Sequence, residues 1–257
     1  MGDPGESLTN SPRCVLAAAG RRWPVAAAAP FWSDGAGIWV SGVPIAELAS
    51  ALRADPRCAV TVLPVEGGTE AVSITGTARV YGAHDPPGLL AHGPAIATAL
   101  TALALKHAPT LVDYARDIPR LPRGQLPEGL VVARVLLDHV ETVPAPVTDG
   151  MGPSLPSIVP AEIRRGLAGR RDVLLAVADP EPRILVASWT TGLALSPSPP
   201  DGTRATAVVD GDRVGMILHG TIADSHLVPE HARWWRGLAV EDARVPARPP
   251  GGIALPD

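Results

Sequence analysis

Few residues in this sequence combine the type and the spacing that catalysis requires. Ser7, Ser41 and Ser196 lie outside any Gly-x-Ser-x-Gly context, so serine hydrolysis has no support. His226 and His231 are five residues apart, which does not put two metal ligands on one face of a helix. No glycine-rich loop follows a predicted strand and opens a helix, as a nucleotide phosphate site requires. The sequence therefore assigns no catalytic acid, base or nucleophile and no metal ligand.

Tryptophan side chains offer a different chemistry, which is stacking on a flat ring. Trp32, Trp39 and Trp189 lie in segments predicted as strands, where core packing is the simpler interpretation and ring stacking the alternative. Trp234 and Trp235 follow a polar stretch. Taken as helical neighbours, these two point in different directions, so we expect one to pack and the other to edge a groove or an interface.

Composition limits the class of protein. The 257 residues are 46% hydrophobic, enough for one large or two modest cores, and 29 prolines and 26 glycines favour short strands joined by turns. A net charge of −4 without basic clusters indicates no surface that would attract nucleic acid or anionic lipid. The N-terminus lacks the basic and apolar regions of a signal peptide, and the most apolar stretch, Ala95 to Leu105, is too short to span a bilayer.

The two cysteines are predicted to be reduced core residues. Cys14 and Cys58 each follow Pro-Arg and open an apolar run, which suits a small buried side chain better than a disulfide. Cytoplasm is the predicted location.

One order of predicted elements occurs twice along the chain. The first copy has strands at 11–17, 24–29, 37–41, 58–63, 74–78 and 130–140. The second copy has strands at 169–176, 183–187, 192–196, 205–209, 218–222 and 238–245. The fifth strand carries Thr75-Gly76-Thr77 in one copy and His219-Gly220-Thr221 in the other. His219 is thus expected to be a hydrogen-bonded barrel residue, with a haem or proton-transfer ligand as the alternative.

Helices are predicted only in the first copy, at 45–53, 86–107 and 111–116. The apolar helix from Pro94 to Lys106 is expected to pack between the two copies. In the second copy the proline-rich stretch 197–204 takes the place of the first helix and cannot be helical. The predicted divisions are 1–145 for copy one, 146–158 for a linker and 159–257 for a degenerate copy two.

Several stretches of copy one resemble the pyridoxamine-5′-phosphate-oxidase-like split-barrel superfamily. They are Pro30 to Ser41, Leu52 to Val62 around Asp55-Pro56-Arg57, Gly76 to Val80, and Lys106 to Tyr114 with the strand that follows. The resemblance implies a mainly β (α+β) fold. Two tandem split β-barrels would form an intramolecular pseudo-dimer, with accessory helices on the first and further homo-oligomerisation left open.

The resemblance also implies a ligand, since members of this superfamily bind FMN, deazaflavin or haem in the groove between paired barrels. Main-chain groups of Ala28, Ala29 and Pro30 would bond the flavin ring edge, and Trp32 or Trp189 would stack on it. The phosphate side chains of the family are absent, because Gly42 follows Ser41 and the later positions are Ala46, Glu47 and Leu48. Arg53, Arg57 and Arg204 are the substitute cations nearest in sequence.

Two functions follow from these observations. The first is an FMN-binding protein, by resemblance an oxidoreductase, in which the flavin does the chemistry and the protein positions it. The alternative is a cofactor-free descendant that uses the groove for a small apolar ligand or a partner, and haem binding ranks third. The altered phosphate positions favour the alternative, and the barrel framework does not separate the two. The first function is preferred because members of the superfamily vary in their phosphate ligands and other arginines are in reach.

Overall fold

The computed structural model describes residues 8–41, 45–64, 69–109, 131–145, 155–211, 214–237 and 239–246. Within these ranges the side chains of residues 45–47 and 191 are not described. The expected short helix at 111–116 and the FMN position Gly42 lie outside the described residues, as does most of the expected linker. Residues up to 145 are called the first half below, and residues from 155 the second half.

The first half is a closed six-stranded antiparallel barrel in the order β1-β2-β3-β6-β5-β4. Its strands and helices are β1 (Arg13–Ala18), β2 (Val25–Ser33), β3 (Gly37–Ser41), α1 (Ile45–Ala54), β4 (Arg57–Val62), β5 (Glu70–Tyr81), α2 (Pro86–Lys106) and β6 (Val132–Pro144). Alternate residues of each strand face the interior, as Cys14, Leu16 and Ala18 do on β1. The predicted helices at 45–53 and 86–107 are confirmed.

The second half is a seven-stranded antiparallel sheet in the order β13-β12-β11-β10-β7-β8-β9. Its elements are α3 (Ala161–Gly166), β7 (Asp172–Val177), β8 (Arg183–Trp189), β9 (Leu195–Ser196), β10 (Arg204–Asp210), β11 (Val214–Ala223), β12 (His226–Arg236) and β13 (Ala239–Arg244). The sheet curls so that a single bridge, Ala194 to His226, joins its β9 and β12 sides. A closed barrel and a curled sheet confirm the predicted mainly β fold of split-barrel type.

The two halves share strand order and a local irregularity. Written from the third strand, the order is β3-β2-β1-β4-β5-β6 in the first half and β9-β8-β7-β10-β11-β12 in the second. The β5–β6 ladder shifts register between Thr75 and Gly76, and the β11–β12 ladder shifts between His219 and Gly220. A Cβ on Gly76 would meet the carbonyl oxygen of Leu136, and one on Gly220 would meet that of Val228. Both bulges therefore require glycine.

Two sequence predictions for the second half need correction. The stretch before the last predicted strand is itself a strand, β12, which takes the place of β6, and the predicted strand at 238–245 is an additional one, β13. Trp234 and Trp235 therefore alternate along a strand, not a helix. Trp234 packs in the core of the second half, and Trp235 packs against the cluster between the halves.

Helix α2 lies on the outside of the first barrel. Its buried residues Ile96 and Ala99 pack on Trp39, Tyr81 and Val132, all of the first half, so the expectation that it fills the space between the halves is wrong. The helix has 21 residues because it continues through Pro94, so the argument that it is too short for a bilayer also fails. Among the described helices it alone is long and apolar enough to cross a membrane, judged by length and composition, and little of it is buried.

The halves pack through the outer faces of their central strands. Strand β2 contacts β10 of the other half and β4 contacts β8, so the two pairings are related by exchange of the halves. The apolar cluster between them joins Val15, Ala17, Ala26, Ala28 and Ala59 to Leu174, Ala176, Ile184, Val208 and Ile217. This shared cluster makes the junction of the halves a continuous apolar layer.

Candidate ligand groove at the junction of the halves

The outer row of β2 connects the junction of the halves to the underside of α2. Ala26 and Ala28 are buried against the second half, whereas Trp32 packs with the cluster under α2. Pro30 lies between these two contacts and is half-buried. We call the strip of barrel surface around this residue the Pro30 groove.

Three side chains form a row across the floor of this groove. Arg13 on β1 is the register partner of Pro30, and Ser41 is the last residue of β3. All three belong to the outward-facing sets of their strands, because Cys14, Phe31 and Val40 face the interior. The Ser41 hydroxyl donates to the Val131 carbonyl at 3.2 Å.

The main chain beside Pro30 is the other feature of the groove. The described ladder between β2 and β3 pairs only Phe31, Trp32 and Ser33 of β2. On their other edge, Ala28, Ala29 and Pro30 pair with β1. The side chain of Ala29 faces the barrel interior, so only its backbone is within reach of a ligand.

An ion pair between the halves bounds the groove. Arg13 Nη1 lies 2.6 Å from Asp210 Oδ1 of the second half, and both side chains are about four-fifths buried. Partial burial strengthens such a pair relative to a surface one. The pair fixes the position of Arg13 beside Pro30.

Beneath α2, the far end of the groove is aromatic. Trp32 is the register partner of Trp39, whose ring stacks with that of Tyr81 at a centroid distance of 6.0 Å. The Trp39 indole donates to Asp34 Oδ2 at 2.9 Å, and Arg134 Nη2 donates to the same oxygen at 3.1 Å. Burial raises the pKa of Asp34, but these hydrogen bonds and the arginine charge outweigh it, so the pKa lies below its usual 3.8.

A second cluster of rings lies at the opposite end of the junction. Trp23, on the loop between β1 and β2, stacks on His219 at a centroid distance of 5.2 Å and lies 6.4 Å from the ring of His231. The Thr206 hydroxyl donates to the Pro24 carbonyl at 2.6 Å, so its oxygen accepts from Nδ1 of His219 at 2.9 Å. The histidine therefore carries a proton on Nδ1. His219 lies at the junction between the halves and is hydrogen-bonded there, which agrees with the simpler of the two expectations from the sequence.

The structure does not bring the predicted arginines to the groove. Arg53 donates from Nε to Nε2 of His84 at 2.8 Å on the exposed surface. Arg57 pairs with Asp55 at 2.8 Å and approaches Glu181 of the second half at 3.6 Å. Arg204 donates to the main-chain oxygen of Arg22 at 3.2 Å.

Arg57 and Arg204 occupy equivalent places, at the starts of β4 and β10, and each reaches the first hairpin loop of the opposite half. These two equivalent contacts each join one half to the other.

Of the predicted phosphate positions, only Leu48 has a described side chain, and it is fully buried in the first barrel core. Position 48 therefore presents nothing to a ligand. For Ala46 and Glu47 only the backbone, in α1, is described.

Trp189 is not a groove residue. It is 1% exposed in the core of the second half, and its indole donates to the Arg170 carbonyl at 3.1 Å. Trp189 pairs with Leu195 as Phe31 pairs with Val40, so it corresponds to Phe31 and not to Trp32. A shift of one residue along a strand moves a side chain to the other face, which is why the alignment of the two tryptophans misplaced it.

Sequence reasoning missed Arg13, which lies beside Pro30. The signal was the antiparallel pairing of β1 with β2, which puts residue 13 opposite residue 30 once the turn at 19–24 is assigned.

Comparisons with known proteins concern the fold. Solved structures similar to part of this chain include an FAD-binding protein from Mesorhizobium loti, with 19% identity, 55% of this chain and 92% of that chain covered and a TM-score of 0.41. An F420 reductase is similar with 16% identity, 55% of this chain and 98% of that chain covered and a TM-score of 0.36. The haem storage protein HutZ from Vibrio cholerae is similar with 13% identity, 55% of this chain and 92% of that chain covered and a TM-score of 0.39. No family model and no curated protein matches the chain. At these identities and TM-scores the similarities carry no information about the ligand of this chain.

Proposed function

We propose that the chain binds a flavin in the Pro30 groove, with the ring lying over Pro30 between the second half and α2. The observation that carries this is the half-buried, outward position of Pro30 between the apolar cluster of the junction and Trp32 under α2. A flavin ring is flat and apolar on its faces and has hydrogen-bonding groups along one edge. Backbone groups suit that edge and Trp32 suits a face.

The ring, and not the phosphate, is the part of the flavin that these residues fit. FMN is the form that the family resemblance implies, and deazaflavin shares its ring geometry. Arg53, Arg57 and Arg204 are bonded elsewhere, and Arg13 is neutralised by Asp210. We therefore expect FMN and riboflavin to bind with affinities within about tenfold of each other, a difference below about 1.4 kcal/mol.

A bound flavin would supply hydride or electron transfer, and an oxidoreductase activity is the corresponding proposal. The residues of this chain would position the ring and exclude water. Pro30 forms the centre of the floor between Arg13 and Ser41, the second half and α2 form walls, and the Arg13–Asp210 pair bounds one side.

The test is a titration of purified full-length protein with FMN, riboflavin and a deazaflavin, followed by flavin fluorescence and thermal unfolding. We expect saturable binding, with a rise in Tm because the ligand binds only the native state. Trp32→Ala should weaken ring binding about tenfold through lost stacking. Trp23→Ala is the matched control, because Trp23 is also half-buried but lies at the opposite end of the junction. Absence of any binding or thermal shift with all three flavins would exclude the proposal.

The cofactor-free alternative is favoured by one observation, the burial of Leu48 in the barrel core at a position where the family has a phosphate ligand. In that case the Pro30 groove takes a small apolar molecule or a partner segment. The purified protein is then colourless and unresponsive to flavins, while Pro30→Arg leaves the fold intact and abolishes binding of the apolar molecule.

A further inference from the structure

Strand β6 has an open edge over part of its length. On one side it pairs with β5 all the way from Val132 to Pro144. On the other side, β3 pairs only with the part from Val132 to Leu136, because β3 begins at Gly37. Among the described residues, β6 therefore has a ladder on one side only from residue 137 onward. An edge of this kind presents backbone N–H and C=O groups that can pair with another strand.

The equivalent edge of the second half is covered. The matching bulges of the β5–β6 and β11–β12 ladders make His139 of β6 equivalent to His231 of β12. Strand β13 pairs with β12 from His231 to Arg236. The same stretch of β6, residues 139–144, pairs with no such strand in the part of the chain that the structure describes, and the sequence after it is predicted as a linker. We call residues 139–144 the open edge.

The open edge lacks the usual protection at its centre. Natural sheet edges are protected by charged residues that point inward, by proline or by bulges. Here the bulge is at Asp138 and the proline is Pro144, so each lies at an end of the stretch. The inward positions between them are Val140 and Thr142, whose partners on β5 are core residues. Neither is charged, and Val140 is 40% exposed.

We propose that the open edge binds a second copy of this chain, β6 against β6 in antiparallel orientation. A symmetric pair of strands is centred on one residue, because directly opposite residues point to the same face of a sheet. Centring on Val140 places His139 of each copy opposite Glu141 of the other. Within one chain, Nε2 of His139 lies 3.9 Å from Oε2 of Glu141, so the two side chains already share a face. The two valines would meet on the other face, where an apolar contact favours pairing.

Charge selects this register and this partner. Opposite charges directly across a ladder stabilise it, and like charges destabilise it. Centring on Glu141 would put two carboxylates opposite each other. Centring on His139 would put two imidazoles opposite each other and would form no acid–base pair. Centring on Val140 forms two acid–base pairs, so the open edge is complementary to itself, which favours a second copy over an unrelated strand.

The test is sedimentation equilibrium of the full chain between about 5 and about 500 μM. A pairing of about five residues buries less surface than a standard protein interface, so we expect a weak dimer with a dissociation constant on the order of 100 μM. The chain should then be a monomer at the lowest concentration and mostly a dimer at the highest. The open edge is not part of the Pro30 groove, so this result does not depend on flavin binding.

Val140→Lys tests the centre of the pairing. It places two ammonium groups opposite each other and should weaken the dimer at least tenfold. Val228→Lys is the matched control, because Val228 is an exposed valine on β12, the strand equivalent to β6, and it should dimerise as the parent does.

A charge exchange tests the register. His139→Glu puts carboxylates opposite each other and should also weaken the dimer at least tenfold. Adding Glu141→His to it restores two acid–base pairs in exchanged order and should recover the parent's dissociation constant within about threefold. Both side chains are exposed, so these substitutions keep the proposal testable if Val140→Lys fails to fold.

Three results would overturn the proposal. One is a parent chain that remains monomeric at the highest concentration. Another is a dimer that Val140→Lys leaves intact, since such a dimer uses a different surface. The third is a dimer that His139→Glu weakens and that the double variant does not recover.

Discussion

At the scale of single residues, the two thiols are predicted to be inert. Burial raises the pKa of Cys14 and of Cys58 to about 12, so almost none of the reactive thiolate exists at neutral pH. Both are buried and free of disulfides, as their apolar sequence context predicted. Ellman's reagent at pH 8 should therefore titrate no thiol in the native protein and two after denaturation. Rapid reaction of a native thiol would contradict their burial.

Gly76 and Gly220 are required because the backbone of the neighbouring strand leaves no room for a side chain. Gly76→Ala and Gly220→Ala would drive a methyl group into a carbonyl oxygen of the neighbouring strand, so each should cost about 1–3 kcal/mol. Gly93→Ala, in the helix α2 with open space around it, is the control and should be neutral or stabilising by up to about 1 kcal/mol. Urea denaturation of the three variants measures this. Equal stability of all three would remove the argument that the bulges need glycine.

His107 makes stability depend on pH. Burial lowers its pKa below the usual 6.5; the hydrogen bond to the Phe31 carbonyl raises it, and the charges of Lys106 and Arg13 lower it further. Since the native state holds the proton less tightly than the unfolded chain, stability is lost as pH falls from about 6.5 through the native pKa. His107→Gln should flatten this part of the pH profile of the urea midpoint between pH 7.5 and pH 5. A profile as steep as the parent's would assign the dependence to other groups.

At the scale of elements, strands and helices with regular patterns were predictable. Helices α1 and α2 and strand β3 agree with their predicted spans because residues that end helices or form turns mark their limits. Strand β12 was missed for a physical reason. Its inward residues are Leu227, then Ala232 and Trp234, so the bulge opposite His219 and Gly220 changes the parity of the alternation halfway along.

The start of α2 depends on one side chain. Asp85 is the N-cap, and its Oδ1 accepts from the Gly88 amide at 3.0 Å. Asp85→Ala leaves that amide without its capping acceptor and should destabilise the protein by about 1 kcal/mol. Asp201→Ala, at an exposed turn, should change the urea midpoint little. Equal changes in the urea midpoint for the two substitutions would show that the Asp85 cap does not stabilise the protein.

At the scale of the whole molecule, the pairing of halves was predictable and its surface was not. Two similar element orders suggest two similar units, and we propose that residues 1–145 and 159–257 are copies of one unit. The contacts between them lie on outward strand positions, where alanines in the first half resemble ordinary surface residues. Burial of an outer face depends on its partner, and a sequence pattern records only the inner face. The sequence analysis accordingly named Pro30 and Trp32 of the candidate groove and missed Arg13.

At some equivalent positions of the junction, the side chain in the first half is smaller than the one in the second half. Equivalent positions hold Ala26 and Ile184, which pair with Ala17 and Ala176 respectively. The neighbouring equivalents Ala59 and Thr206 follow the same rule, with the smaller side chain in the first half. Two alanine faces would leave voids and two large faces would collide. The shapes therefore favour pairing of unlike halves within one chain over pairing of like halves between chains.

Because the unlike faces share one apolar layer, the halves should unfold together. Ile184→Ala removes the largest contribution of β8 to that layer and should cost about 2–5 kcal/mol. Scanning calorimetry should then show a single peak at lower Tm, with calorimetric and van't Hoff enthalpies still equal. Val228→Ala, at a half-exposed position of the same half, should leave the Tm nearly unchanged. Two separate peaks in the unsubstituted protein would mean that each half is stable by itself, and the junction would then be too weak to define the Pro30 groove.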